Sequence, residues 1–253
     1  MPDLAIQEIH SILSLAHIQP SVIPATHLYN EGWMLCIVLS AEHRGVRCLP
    51  FEFQPKSSWC SEALLASPFK PRRRGDPLGE GFSNADGVVG HFAMREDTKR
   101  GLKLTDDGSQ FIVIEAKMYA PLTAGTTRIP WYEQAARSVA CMAQLLCTAG
   151  RPLECFTSLG FFVVAPMERV ETHRPALNQE ALRDKIARRI ADYADELVQR
   201  QTWKNEWFDP LVERMTLDCI TWESIIERAR GSNPAFGDSL DAFYGRCKEF
   251  NER

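Results

Sequence analysis

Residues 111–119 read Phe-Ile-Val-Ile-Glu-Ala-Lys-Met-Tyr, an apolar run that ends in a carboxylate and an ammonium two positions apart. Side chains alternate along an extended strand. Phe111, Val113, Glu115 and Lys117 therefore share one face, and Ile112, Ile114, Ala116 and Met118 the other. Both faces begin apolar, which predicts a strand buried at its start. Burying Glu115 or Lys117 alone would be costly. An ion pair relieves that cost, and so does a metal ion on the carboxylate. Two residues reaching solvent at a strand end would satisfy the same tripeptide, because E-x-K is common by chance.

Asp86 gives the tripeptide a context. It lies at the start of a second strand candidate, residues 84–92, and a hairpin through 95–103 would set it beside Glu115. Two carboxylates on neighbouring strands make a hard-oxygen site suited to Mg²⁺, which keeps several waters and accepts phosphate oxygens. A nearby lysine can orient or help deprotonate an attacking water and stabilise charge developing on phosphate. Asn84-Ala85-Asp86-Gly87 is also turn-forming in composition, so a plain turn competes with the strand.

The elements that must position these residues follow from periodicity and punctuation. Residues 28–41 form a helix that Asn30 can cap, with Glu31 and Gly32 in its first turn. Residues 43–82 are expected to be irregular; that is long for a connection in a compact domain, and 70–81 is its clearest loop. A helix over 131–148, rich in small residues, should pack closely on a sheet and is stopped by Gly150 and Pro152. Residues 159–166 read as a buried central strand. Residues 180–198 read as an amphipathic helix with Leu182, Ile186, Ile190, Tyr193 and Leu197 on one face. A short apolar piece near 217–222 and a helix from Trp222 to about Arg230 follow. An N-terminal helix would place Ile6, Ile9, Leu13 and Ala16 together. Helices and strands in this order predict an α/β fold around one sheet core.

Asp86 in NADGVVGHF, Glu115-Ala116-Lys117 in FIVIEAKMY, Gln134 and Arg137 in WYEQAARSV, and Glu31 in NEGWML together resemble the PD-(D/E)XK nuclease superfamily. The resemblance implies a restriction-endonuclease-like fold, a mixed central sheet flanked by helices. It implies a single domain over 1–253, with a core at about 28–166 and peripheral helices at 1–27 and 167–253. By resemblance, Asp86 and Glu115 would bind catalytic Mg²⁺, with Mn²⁺ able to substitute, and Glu31 would join or support the metal shell. Lys117 would serve the nucleophilic water, and Gln134 would contact substrate or that water. The implied activity is hydrolysis of phosphodiester bonds, most often in DNA, by a homodimer or by a protein that a partner recruits. Ala85 stands where the superfamily's Pro would be. The rival reading is a non-catalytic module that keeps the fold and binds nucleic acid or protein.

Other residues carry competing readings. Glu31 can simply complement the helix dipole. Gln134 and Arg137, at i and i+3, could both meet phosphate, or could be an exposed stripe; Glu133 offers Arg137 another partner. Glu80 is expected to be loop solvation. Lys70, Arg72, Arg73 and Arg74 could contact a phosphate backbone or only solvate their loop. Trp33, Trp131 and Trp222 are expected to anchor the core, and His91 to pack or hydrogen-bond.

The 253 residues carry 29 Lys+Arg against 33 Asp+Glu, a net charge of −4, with 45% apolar residues. That balance excludes a disordered chain and a histone-like coat for nucleic acid, but not an enzyme with one local basic surface. No run approaches the ~18 apolar residues of a membrane span. The N-terminus lacks the basic start of a signal peptide, so a cytoplasmic location is expected. The eight cysteines have spacings suited to small buried thiols rather than to a disulfide framework or a zinc site.

Overall fold

The computed structural model describes residues 4–19, 22–96, 98, 100–125 and 129–252. The first residues of the expected N-terminal helix (1–3), two positions of the expected 95–103 hairpin (97 and 99) and loop residues 126–128 lie outside them. The chain runs α1 (Leu4–Ile18), α2 (Ala25–Leu28), α3 (Glu31–His43), β1 (Ser58–Ala66), β2 (Phe82–Gly90), a small hairpin of β3 (Phe92–Met94) and β4 (Leu102–Leu104), β5 (Gln110–Ala116), α4 (Gln134–Ala149) and β6 (Ser158–Ala165). Then come α5 (Val170–His173), α6 (Gln179–Ala191), α7 (Leu197–Trp203), α8 (Asp209–Arg214), β7 (Thr216–Thr221), α9 (Trp222–Ser232) and α10 (Pro234–Asn251).

Five strands form a mixed sheet in the order β1-β2-β5-β6-β7. The β1–β2 and β2–β5 pairs are antiparallel, and β5–β6 and β6–β7 are parallel. Parallel neighbours need a crossover, and α4 supplies it between β5 and β6. The fold is thus α/β, a mixed central sheet flanked by helices. All of β5 is buried. Phe111 and Val113 pack in the layer of α4, α6 and α8; Ile112, Ile114 and Ala116 pack in that of α3, α9 and α10. The strand's alternation is therefore as its sequence requires. Asn30 caps α3, its side chain accepting from Trp33 N at 2.9 Å. Gly87 lets α3 lie close to β2, because a Cβ there would come within 2.9 Å of Leu35 Cδ2.

Several expectations change. The segment 43–82 contains a full strand, β1, and 167–253 supplies the edge strand β7 as well as helices. The region between β2 and β5 folds as its own β3–β4 hairpin. The helix expected over 180–198 stops at Ala191, because Tyr193 turns inward to donate to Leu78 O at 2.6 Å and to stack on Phe69. Leu197 then starts a new helix and is 46% exposed. In α1 only Ala16 of the expected face is fully buried, while Ile6 and Ile9 are exposed. Among the described residues no helix is long and apolar enough to cross a membrane.

Candidate active site

Strands β2 and β5 pair from Gly90↔Phe111 to Gly87↔Ile114 and then separate. Beyond that point β2 stays with β1, and β5 stays with β6 as far as Ala116↔Val164. Asp86 is the first residue past the split. Its carboxylate takes the place of the missing strand partner, Oδ2 accepting from Ala116 N at 2.8 Å. Across the β1 ladder, Ser61↔Gly87 and Ala63↔Ala85 are paired, but the level of Glu62 and Asp86 between them is not. Glu62 has φ 54°, a left-handed conformation unusual for a residue with a side chain. Cys60 and Val88 pack on the α4 side, and so do Ala63 and Ala85, an odd number of residues away. Alternation therefore slips by one across the Glu62–Asp86 level, which frees Asp86 from both apolar layers to meet the end of β5.

Glu115 is wholly buried. Its Oε2 accepts from Gln134 Nε2 at 2.6 Å, and its Oε1 from Ser138 Oγ at 3.1 Å. Positions 134 and 138, one helical turn apart, share a face of α4. Gln134 also accepts from Thr123 N at 3.2 Å and donates its own N–H to Thr123 O at 2.9 Å. Both ends of its amide are engaged, so Gln134 positions Glu115 and straps α4 to the loop after β5.

Lys117 follows β5 directly. Its Nζ is 3.5 Å from Asp86 Oδ2 and 3.6 Å from Glu115 Oε2. Both carboxylates thus meet on one ammonium. The Lys117 backbone is held on two sides, its N–H donating to Val164 O at 2.8 Å and its carbonyl accepting from Trp222 Nε1 at 2.9 Å. Burial, then the charge of Asp86, pushes the Glu115 carboxyl well above its ordinary range, with Lys117 opposing them. His173 is buried with no partner for Nε2 among the described residues, and its proton affinity is lowered by burial and then by the Lys117 charge.

A divalent ion fits this donor set. Two carboxylates, Glu115 buried and Asp86 half-buried, with one ammonium carry a net negative charge when ionised, and each carboxylate oxygen has lone pairs beyond those its donors use. Among the described residues no group of three or more His, Cys, Asp or Glu stands ready for one ion. An ion on Asp86 and Glu115 would complete its shell with water and substrate oxygens, as Mg²⁺ commonly does.

The remaining sequence candidates lie elsewhere. Glu31 lines a separate cavity of about 570 Å³ with Tyr119 and Arg169. Arg137 is half-buried and faces Glu80, and its Nε has no partner among the described residues. Glu133 pairs with Lys185 at 2.7 Å rather than with Arg137. Glu80 is not solvated: its Oε1 is buried without a partner among the described residues, and burial raises its pKa against the pull of Arg189 and Arg137. Arg72 is spent on contacts within the fold, bonded to Asp76 at 3.0 Å and 4.6 Å over the Tyr193 ring. Lys70, Arg73 and Arg74 are exposed on the β1–β2 connection. That connection, residues 67–81, ends at Gly81, where β2 starts about 13 Å from Asp86 at the usual rise per residue. Trp222 is core as expected, Trp131 is half-buried under Arg188, and Trp33 is 44% exposed. His91 bonds Pro55 O and the Ser109 and Gln110 amides. Ser138 was within reach of helical spacing from Gln134. Trp222 and His173 gave no local signal. Among known proteins, no family model, no curated protein and no solved structure matches the chain.

Proposed function

We propose that the chain is a Mg²⁺-dependent nuclease of the PD-(D/E)XK kind that hydrolyses phosphodiester bonds in DNA. The observation that carries this reading is the convergence of Asp86 and Glu115 on the Lys117 ammonium where β2 and β5 part. Its fold would then be restriction-endonuclease-like, which the mixed sheet flanked by helices supports at the level of class.

Two carboxylates and one ammonium leave the site at −1 when ionised, the same sign as a phosphodiester, so substrate needs added positive charge there. A divalent ion supplies that charge and acidifies a bound water. Asp86, tied to Ala116 N, and Glu115, tied to Gln134 and Ser138, stay aimed at one point without paying for reorientation. Lys117, fixed through both its backbone groups, holds its ammonium between them, where it can orient the attacking water and pass a proton.

The test is a cleavage assay on linear, circular and single-stranded DNA and on RNA, with Mg²⁺ or Mn²⁺. Metal-dependent cutting that disappears in Asp86→Ala, Glu115→Ala and Lys117→Ala is expected. Wild-type turnover in any of the three variants, or an inert wild-type protein, would overturn the assignment. An inert protein that still binds DNA would be the non-catalytic module instead.

A further inference from the structure

A cavity of about 300 Å³ opens beside Asp86, between the start of α3 and β1. Asn30, Trp33, Cys36, Ser61, Glu62 and Asp86 line it. Among the described residues that line it, two are acids and none is Lys or Arg. Phosphate would be repelled from such a lining, whereas an uncharged ring would not. Trp33 presents that ring with a partner, since it is 44% exposed although its backbone is fixed by the Asn30 cap. An indole face beside a polar rim stacks on any base. The Asn30 amide is committed to Thr26 O, His27 O and Trp33 N, so it adds no competing polar demand. The Glu62 carboxylate leans toward Asn84 and Arg100, at 3.5 and 3.9 Å.

We infer that this cavity takes one unpaired base of the strand whose phosphate lies at Asp86 and Glu115, making the substrate single-stranded or frayed DNA. The inference rests on the nuclease reading and narrows it. Its physical basis is size and access. The cavity, at about 300 Å³, is at the small end of ligand pockets and has room for a single base turned in from the strand at Asp86. A duplex would have to unstack and unpair that base first.

The test uses the Lys117→Ala protein in Mg²⁺, which keeps both carboxylates, and reads fluorescence anisotropy of a labelled single strand and of a blunt duplex of the same sequence. The single strand should bind about ten-fold tighter or more, in line with the cost of unstacking. Adding Trp33→Ala should weaken single-strand binding by about 5- to 150-fold, the usual range for losing one stacked base. Trp33→Phe should keep most of the affinity. Equal affinity for the two DNA forms, or single-strand binding indifferent to Trp33→Ala, would overturn the inference. Hydrolysis of bis(4-nitrophenyl) phosphate, which has no base, separates the two levels. A wild-type protein that hydrolyses this ester but shows no strand preference refutes the role of the cavity alone. One inert toward both the ester and DNA refutes the nuclease reading, and this inference with it.

Discussion

Trp222→Phe tests whether the C-terminal segment positions Lys117, the lysine of the proposed site. Trp222 is fully buried and its indole N–H is bonded to the Lys117 carbonyl at 2.9 Å. Phenylalanine keeps a ring but leaves that carbonyl without its donor, a cost of about 1–3 kcal/mol for a buried group. The lost pyrrole portion, equivalent to roughly two methylenes, adds about 1.5 kcal/mol. A total near 2.5–4.5 kcal/mol should lower Tm by roughly 5–18 °C, at about 2–4 °C per kcal/mol for a chain of this length. Freed on one side, the Lys117 ammonium should lose its register, and kcat on DNA at 25 °C should fall about 10- to 100-fold. Ile226→Val is the control. Ile226 lies on the same helix and in the same buried layer, so a loss of about 0.5–1.5 kcal/mol is expected with no hydrogen bond broken. Thermal denaturation and steady-state cleavage of the two variants decide the matter. If Trp222→Phe lost stability but cleaved DNA like Ile226→Val, the indole would be packing and nothing more, and the positioning role would be wrong.

Metal, pH and charge supply three further tests. Mg²⁺ at about 100 times its Kd should stabilise the wild-type protein by about 2.7 kcal/mol, a rise in Tm of roughly 5–11 °C, and should leave Asp86→Ala unmoved. Differential scanning fluorimetry reads this directly, and an equal rise in both proteins would place the ion elsewhere. Glu80 has its pKa raised, chiefly by burial, above the ordinary 4.5. The folded protein therefore holds that proton more tightly than the unfolded chain. The associated stability is complete below the ordinary value and is lost as pH rises through the folded one. Glu80→Gln should accordingly raise Tm at pH 8, with the gap closing toward pH 4; a gap that widens on acidification would reverse the sign. Arg72→Ala should lower Tm, since it breaks the Asp76 pair and the Tyr193 contact. Arg73→Ala with Arg74→Ala should instead weaken DNA binding and flatten its salt dependence by about 0.7 per lost contact on a single strand. The opposite pattern in titrations at several salt concentrations would exchange their roles.

The parts of the fold that local patterning specifies were legible. β5 is apolar on both faces up to Glu115, and a strand of that composition has few ways to sit except centrally. The Asn30 cap and the stop at Gly150, which adopts φ 60°, are equally local. β1 was hidden because Ser61 and Glu62 interrupt its alternation at the level where the structure slips by one residue. The break after Ala191 depends on Tyr193 reaching Leu78, more than a hundred residues earlier, so no periodicity within the helix could show it. Residue type also failed to say where charges are spent. Arg72, Arg189 and Arg200 gather around the rings of Phe69 and Tyr193 and pin the 67–81 loop, while neighbouring Arg73 and Arg74 stay outside. Trp33 misled for a related reason. A tryptophan inside a nearly continuous apolar helix reads as core, yet it stands at N3 of α3, turned toward the cavity beside Asp86.

What brought distant residues to one place is the direction of the strands. β5, β6 and β7 are parallel, so whatever follows each of them emerges at the same edge of the sheet. Lys117 follows β5, α5 with His173 lies after β6, and Trp222 follows β7. That common edge explains why an indole 105 positions away holds the lysine carbonyl, and why His173 feels the lysine charge. β2 runs the other way, so it brings its early half to that edge, and Asp86 is there. β5 is therefore the strand at which antiparallel pairing gives way to parallel, and the site lies outside its carboxyl end, the side on which open α/β sheets place ligands. The paired strand ends leave backbone groups to satisfy, and the carboxylate of Asp86 satisfies one of them, Ala116 N, while keeping an edge toward Lys117. A β2 that continued its ladder past Gly87 would have closed this gap with backbone hydrogen bonds. The chemistry of the site thus depends on a strand pair that stops short.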